Sequence, residues 1–87
     1  MEDKYYTYVL RSIKFGKLYI GQTNNLNNRL EAHNSGYSPY TKGRGPWELV
    51  YHEEFDTRGE AMKREKFLKT GKGRELITKI ISQEKSD

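Results

Sequence analysis

An α+β domain of the α/β-sandwich type, a small three-stranded antiparallel sheet flanked by about three helices, is the fold class that this sequence predicts. Three observations predict it. Two runs of aromatic and β-branched residues face each other across a glycine turn near the N-terminus, a third such run lies mid-chain, and the intervening segments repeat apolar residues at helical spacing. The 87 residues suffice for one domain, 1–87, with one modest core.

Tyr5 to Ile13 forms the first expected strand, Lys14-Phe15-Gly16 supplies the turn, and Lys17 to Gln22 returns as the second strand of a hairpin. Thr23 and Asn24 are candidate N-caps for a helix of about three turns with Leu26, Leu30 and His33 on one side; it stops at Asn34-Ser35-Gly36, where Gly36 suits a left-handed residue. Residues Gly36 to Pro46 are too rich in Gly and Pro for a regular element and read as an exposed loop, with Tyr40, Lys42 and Arg44 as candidate nucleic-acid contacts. Trp47 to Phe55 is the third strand. A second helix runs from Asp56 or Thr57 to about Thr70, with Ala61, Met62 and Leu68 on its apolar side, and Gly71 and Gly73 punctuate it. Leu76, Ile77, Ile80 and Ile81 then mark an amphipathic helix from Arg74 to about Gln83.

Composition narrows the function classes. With no cysteine, there is neither a disulfide framework nor a thiolate metal site, and any metal must be held by oxygen or imidazole. No apolar run approaches the roughly 20 residues of a membrane span, and the start Met1-Glu2-Asp3-Lys4 lacks the pattern of a signal peptide, so a cytoplasmic protein with no membrane partner is expected. Sixteen Lys and Arg against 12 Asp and Glu leave a formal charge of +4, a mild bias toward an anionic partner. Seven tyrosines exceed what so small a core needs and place polar phenols near the surface.

One carboxylate stands out on periodicity. Glu65 lies one turn from Ala61 and three residues from both Met62 and Leu68, so it projects along the apolar stripe. Either a metal or an Arg compensates it, or it sits at the stripe's edge and reaches water. Glu60 is about 140° around the helix from it and cannot pair with it. Arg29 and His33 are i,i+4 neighbours on the first helix, and Arg offers a planar fork to phosphate oxygens while His titrates near neutral pH. Singly, each also reads as a surface Arg and a half-buried capping His. No HExxH, nucleophile elbow or phosphate-binding Gly loop is present.

Several features in order then resemble one family. Tyr6-Thr7-Tyr8-Val9-Leu10 stands at a GIY strand, Tyr19-Ile20-Gly21 is a literal YIG eleven positions after Tyr8, Arg29 follows Tyr19 by ten, and Glu60-Ala61-Met62-Lys63-Arg64-Glu65 matches a helix carrying a glutamate. Together they resemble the GIY-YIG nuclease superfamily, and the stretches Gly21 to Gly36 and Tyr40 to Pro46 resemble its small standalone branch. The resemblance implies a metal-dependent endonuclease that hydrolyses nucleic-acid phosphodiester bonds by a single-metal mechanism, with a place in DNA processing or repair.

By position it implies Tyr8 as general base or water-orienting phenol and Tyr19 as positioner of phosphate and water. It likewise implies Arg29 as clamp on the scissile phosphate, His33 as a second donor, and Glu65 as ligand of Mg²⁺, with Mn²⁺ a substitute. Departures are Tyr6 in place of the motif's glycine, Gln22 where some members have lysine, and no Asn after Glu65. DNA is the expected substrate, with a protein partner supplying added affinity in place of the separate DNA-binding domains of larger members. The rival reading is a non-catalytic nucleic-acid-binding module on the same scaffold. A third reading, a protein-interaction adaptor, would use an exposed Tyr37, Tyr40 and Trp47 region and need no metal.

Overall fold

The aromatic and β-branched runs form β1 (Tyr5–Ser12), β2 (Leu18–Thr23) and β3 (Trp47–Phe55), and the helical segments form α1 (Leu26–Asn34), α2 (Arg58–Leu68) and α3 (Gly71–Lys85). This computed structural model describes residues 4–36 and 43–85. The three strands make one antiparallel sheet in the order β2-β1-β3, so β1 is central and β2 is left as an edge. Strand alternation divides the core in two. Val9 and Ile20 pack with Leu68 of α2 and Ile77 of α3 on one face. Tyr8, Leu10 and Trp47 pack with Tyr19, Leu26, Leu30 and Leu49 on the other, under α1. The expected α+β architecture, three antiparallel strands with three helices, is what forms.

The hairpin register pairs Tyr8 with Gly21 and Leu10 with Tyr19. Its turn closes by hydrogen bonds from Ser12 N to Lys17 O (2.8 Å) and Gly16 N to Ser12 O (2.7 Å), with Gly16 at φ +74° where a side chain would be strained. Asn34 holds the end of α1 to the start of β3: its Nδ2 donates to Trp47 O (3.1 Å) and its Oδ1 accepts from Trp47 N (2.7 Å). That clamp fixes His33, one residue earlier, over the sheet.

Element limits depart from expectation where capping chemistry decides. Thr23 remains in β2, and Asn25, rather than Thr23 or Asn24, caps α1 by accepting from Asn28 N (3.1 Å). Gly36 takes the left-handed conformation expected of it, at φ +84°. Thr57 caps α2: its Oγ1 accepts from Glu60 N (3.2 Å) and donates to Glu60 Oε1 (3.0 Å).

The larger correction is α3, which begins at Gly71 instead of near Arg74. Thr70 Oγ1 accepts from Gly73 N (3.1 Å), which starts the helix among its glycines. A Cβ at Gly73 would run into the backbone of Phe67 and Leu68, so this glycine serves the close crossing of α3 over the end of α2. Met62 is also corrected: it is 42% exposed, and the buried stripe of α2 is Ala61 and Leu68. Tyr37, Tyr40 and Lys42 lie outside the described residues, whereas Arg44 is described and exposed.

Candidate active site

The site assembles at the edge formed by β2, where elements from both faces of the sheet come together. Tyr8 enters from central β1 and is 3% exposed. Its cross-strand partner is Gly21, and a Cβ there would lie 2.6 Å from Tyr8 Oη and 3.2 Å from Cε1 of Tyr19. The phenol therefore lies across the strand only because that position has no side chain, which gives the glycine of the Tyr19-Ile20-Gly21 triplet its physical reason.

Tyr8 Oη lies 3.1 Å from His33 Nε2. The Tyr19 ring is 4.7 Å from the imidazole and the Tyr8 ring 6.1 Å, so two tyrosine rings flank His33, while Trp47 packs against Tyr19 at 6.3 Å. Burial, and after it the charge of Tyr19, pushes the Tyr8 phenol well above the usual tyrosine range. Arg29 draws it down and Glu65 pushes it further up. Burial first, and then the Arg29 charge, lower the His33 imidazole from its ordinary value. At neutral pH the pair is thus a protonated phenol beside a neutral imidazole. The tautomer with its proton on Nδ1 lets Nε2 accept from the phenol.

Arg29 and Glu65 come from helices packed on opposite faces of the sheet, yet both act on the same Tyr8 hydroxyl. Arg29 is exposed and forms no ion pair among the described residues. The Glu65 side chain is 21% exposed, and its Oε2 accepts from Lys69 Nζ at 2.8 Å. An i,i+4 lysine, neither of the partners expected, is what compensates this carboxylate. Oε1 has no hydrogen-bond partner among the described residues.

Among the described residues, no group of three or more His, Asp or Glu could hold a metal ion. A cation here would have one protein carboxylate, which fits Mg²⁺ or Mn²⁺, ions that retain waters and take phosphate oxygens, and does not fit a tetrahedral zinc site. The departures from the motif are also placed. Tyr6 packs edge-on against His52 at 6.0 Å, and Gln22 accepts from Arg58 at 2.9 Å, so both are engaged in holding the fold.

Beside Tyr19 a cavity of about 320 Å³ is lined by Leu18, Tyr19, Ile20, Lys69 and Arg74. Lys69 and Arg74 were not singled out by sequence. The signal for Lys69 was its i+4 spacing from Glu65; for Arg74 there was none, because its place depends on how α3 begins.

Comparison with known proteins places the chain in a family and supports the fold. The GIY-YIG catalytic domain family matches residues 4–79. A UPF0213 protein of Staphylococcus saprophyticus is 44% identical over 82 residues, covering 93% of this chain and 98% of its own. One from Clostridium perfringens is 49% identical over 65 residues, covering 74% and 69%. The solution NMR structure of a UPF0213 protein from Bacillus halodurans superposes with a TM-score of 0.54 at 32% identity, covering 88% of this chain and 84% of that one. Among the described residues no helix is long and apolar enough to cross a membrane. The chain belongs to the GIY-YIG nuclease superfamily and, within it, groups with the small UPF0213 proteins.

Proposed function

We propose that this chain is a metal-dependent endonuclease that hydrolyses phosphodiester bonds, acting on DNA in the cytoplasm during DNA processing or repair. The observation that carries the reading is the Tyr8–His33 hydrogen bond, set within the electrostatic reach of an exposed arginine, Arg29, and a half-buried glutamate, Glu65. Scaffold alone does not require that combination.

Arg29 clamps two non-bridging oxygens of the scissile phosphate with its planar fork. Tyr19 positions the phosphate and the attacking water. As the water oxygen bonds to phosphorus, its proton passes to Tyr8 Oη while the Tyr8 proton passes to His33 Nε2, and the ester P–O bond breaks toward the opposite side. Such a relay never requires a free phenolate, which the buried phenol resists. The leaving oxygen takes its proton from solvent. Glu65 would hold the Mg²⁺ or Mn²⁺ through its open oxygen, and when bound the ion polarises the phosphate and stabilises the leaving oxygen. Tyr40, Lys42 and Arg44 add contacts to flanking phosphates, and a partner protein adds affinity that so small a chain lacks.

The Lys69–Glu65 ion pair favours a second reading, in which the lysine permanently holds the carboxylate and the chain only binds nucleic acid. Incubation with single-stranded, duplex and branched DNA, and with RNA, with and without Mg²⁺ or Mn²⁺, separates the two. Wild-type protein cleaves a DNA substrate and stops on chelation. Glu65→Gln loses cleavage but keeps or tightens metal-free binding, since a negative charge near the phosphate is gone. Absence of cleavage by the wild type on every substrate, with binding retained, establishes the binding module instead.

A further inference from the structure

A second cavity, about 400 Å³, lies between the tip of the β1–β2 hairpin and the segment that leads into β3, and neither His33 nor Glu65 is among its described lining residues. Its lining residues Ser12, Phe15, Lys17, Gly43 and Arg44 include two cations and no carboxylate. At its rim the turn displays apolar side chains where a bland turn would be polar: Phe15 is 54% exposed and Ile13 is 61% exposed. Lys14 Nζ stands 5.3 Å from the centre of the Phe15 ring.

The tip is held rigidly for so exposed a feature. Ser12 is buried, and its Oγ donates to Arg44 O (2.6 Å) while accepting from Phe15 N (3.0 Å). Ile13 N donates to Pro46 O (2.9 Å). One buried hydroxyl thus locks the aromatic residue and the Arg44 segment into a single unit, so presenting the ring to a ligand carries little ordering cost.

We propose that Phe15 is a stacking platform for an unpaired nucleobase, with Lys17 and Arg44 holding the phosphates on either side of it. This proposal rests on the reading of the chain as a nucleic-acid enzyme and sharpens its substrate to DNA with an unpaired segment. An exposed aromatic face alternating with cations matches the alternation of base and phosphate along a single strand, and stacked bases inside a duplex have no face to offer. An acidic peptide would satisfy the cations but leave the ring without a partner. Position is compatible with the same occupant: Lys17 and Tyr19 are two residues apart on one chain segment, about 7 Å, so the cation and the site's tyrosine are within the span of one or two nucleotides.

Fluorescence anisotropy, without metal and at fixed salt, tests this with a labelled single-stranded oligonucleotide and a blunt duplex of the same sequence. Phe15→Ala weakens single-strand binding about tenfold and leaves duplex binding within about twofold. Phe15→Trp retains single-strand binding, and its indole emission is quenched by the oligonucleotide. Equal losses on both DNAs, no loss on either, or no binding of any oligonucleotide by the wild type overturns the platform. A wild type that cleaves nothing but shows the Phe15-dependent preference removes the nuclease reading and leaves the platform standing. A wild type that cleaves duplex and single strand alike, with Phe15→Ala unaffected, does the reverse.

Discussion

Val9, Ile20, Leu68 and Ile77 make a buried aliphatic cluster on one face of the sheet, whereas on the other face Tyr8, Leu10 and Trp47 share their layer with the buried imidazole of His33. Both layers exclude water, but they do different work with it. Exclusion on the first face yields burial free energy, and its buried hydroxyl, Thr7 Oγ1, is satisfied by donating to Ala61 O (2.7 Å). Exclusion on the second raises one titrating group and lowers another, and it is tolerable only because the two hydrogen-bond to each other. A chain this small has little stability to spare, so its aliphatic face is what makes the polar face sustainable.

Truncating the aliphatic face should give the largest change in stability. Leu68 is fully buried between the sheet and α3, and Leu68→Ala is expected to cost about 2–5 kcal/mol through lost burial and the cavity left behind. Urea unfolding followed by Trp47 fluorescence measures it. Cleavage per folded molecule should stay near wild type, and a proportionate loss of both would mean that the two faces are not separable.

Tyr8→Phe makes the converse cut. It keeps the ring and removes one hydroxyl, which leaves the buried His33 Nε2 without its partner at a cost of about 1–3 kcal/mol. Cleavage should fall about 10²- to 10⁴-fold, the usual contribution of a proton-transfer group. If single-turnover cleavage by the folded variant is within a few-fold of wild type, Tyr8 is a packing residue and the proposed relay is wrong.

The strands were legible because aromatic and β-branched runs bounded by glycine leave few alternatives, and the third matches its expected limits, Trp47 and Phe55. The misread limits share a cause. Gly71 and Gly73 signal a break by propensity, yet tertiary crossing demands exactly such a residue inside the first turn of α3, and sequence alone does not reveal where two helices approach. Met62 was misassigned because a stripe read at helical spacing has no fixed width; the buried pair is Ala61 and Leu68, and Met62 lies just beyond the edge. Within the site, the spacing of Tyr8, Tyr19 and Arg29 was legible through resemblance. The Tyr8–His33 bond spans 25 positions, and no local pattern encodes it. Phe15 was read as punctuation because turns are recognised by their glycine, which hides the side chain beside it.

The smallest effect, and the most selective, is the pH dependence that belongs to the polar face. His33 faces Tyr8, Tyr19 and Arg29, while His52, the cross-strand partner of Tyr8 on β3, packs against Tyr6. Its folded pKa is depressed, first by burial and then by Arg29, so over the interval between that value and the ordinary histidine value the unfolded chain binds more protons than the folded one. Stability linked to His33 is therefore fully present above the ordinary histidine pKa and is lost as pH falls through the folded one. Glu53 adds a separate loss at lower pH: burial raises its pKa, but hydrogen bonds from Arg64 and Tyr51 and the Arg64 charge outweigh that and leave it depressed. Thermal unfolding across weakly acidic pH should thus show a modest decline in wild-type protein that flattens in His33→Gln, with the steeper carboxylate loss below it unchanged. Cleavage should follow the same step, because a protonated imidazole cannot accept the Tyr8 proton. A decline of equal size in His33→Gln would assign the step to another group and remove the imidazole from the relay.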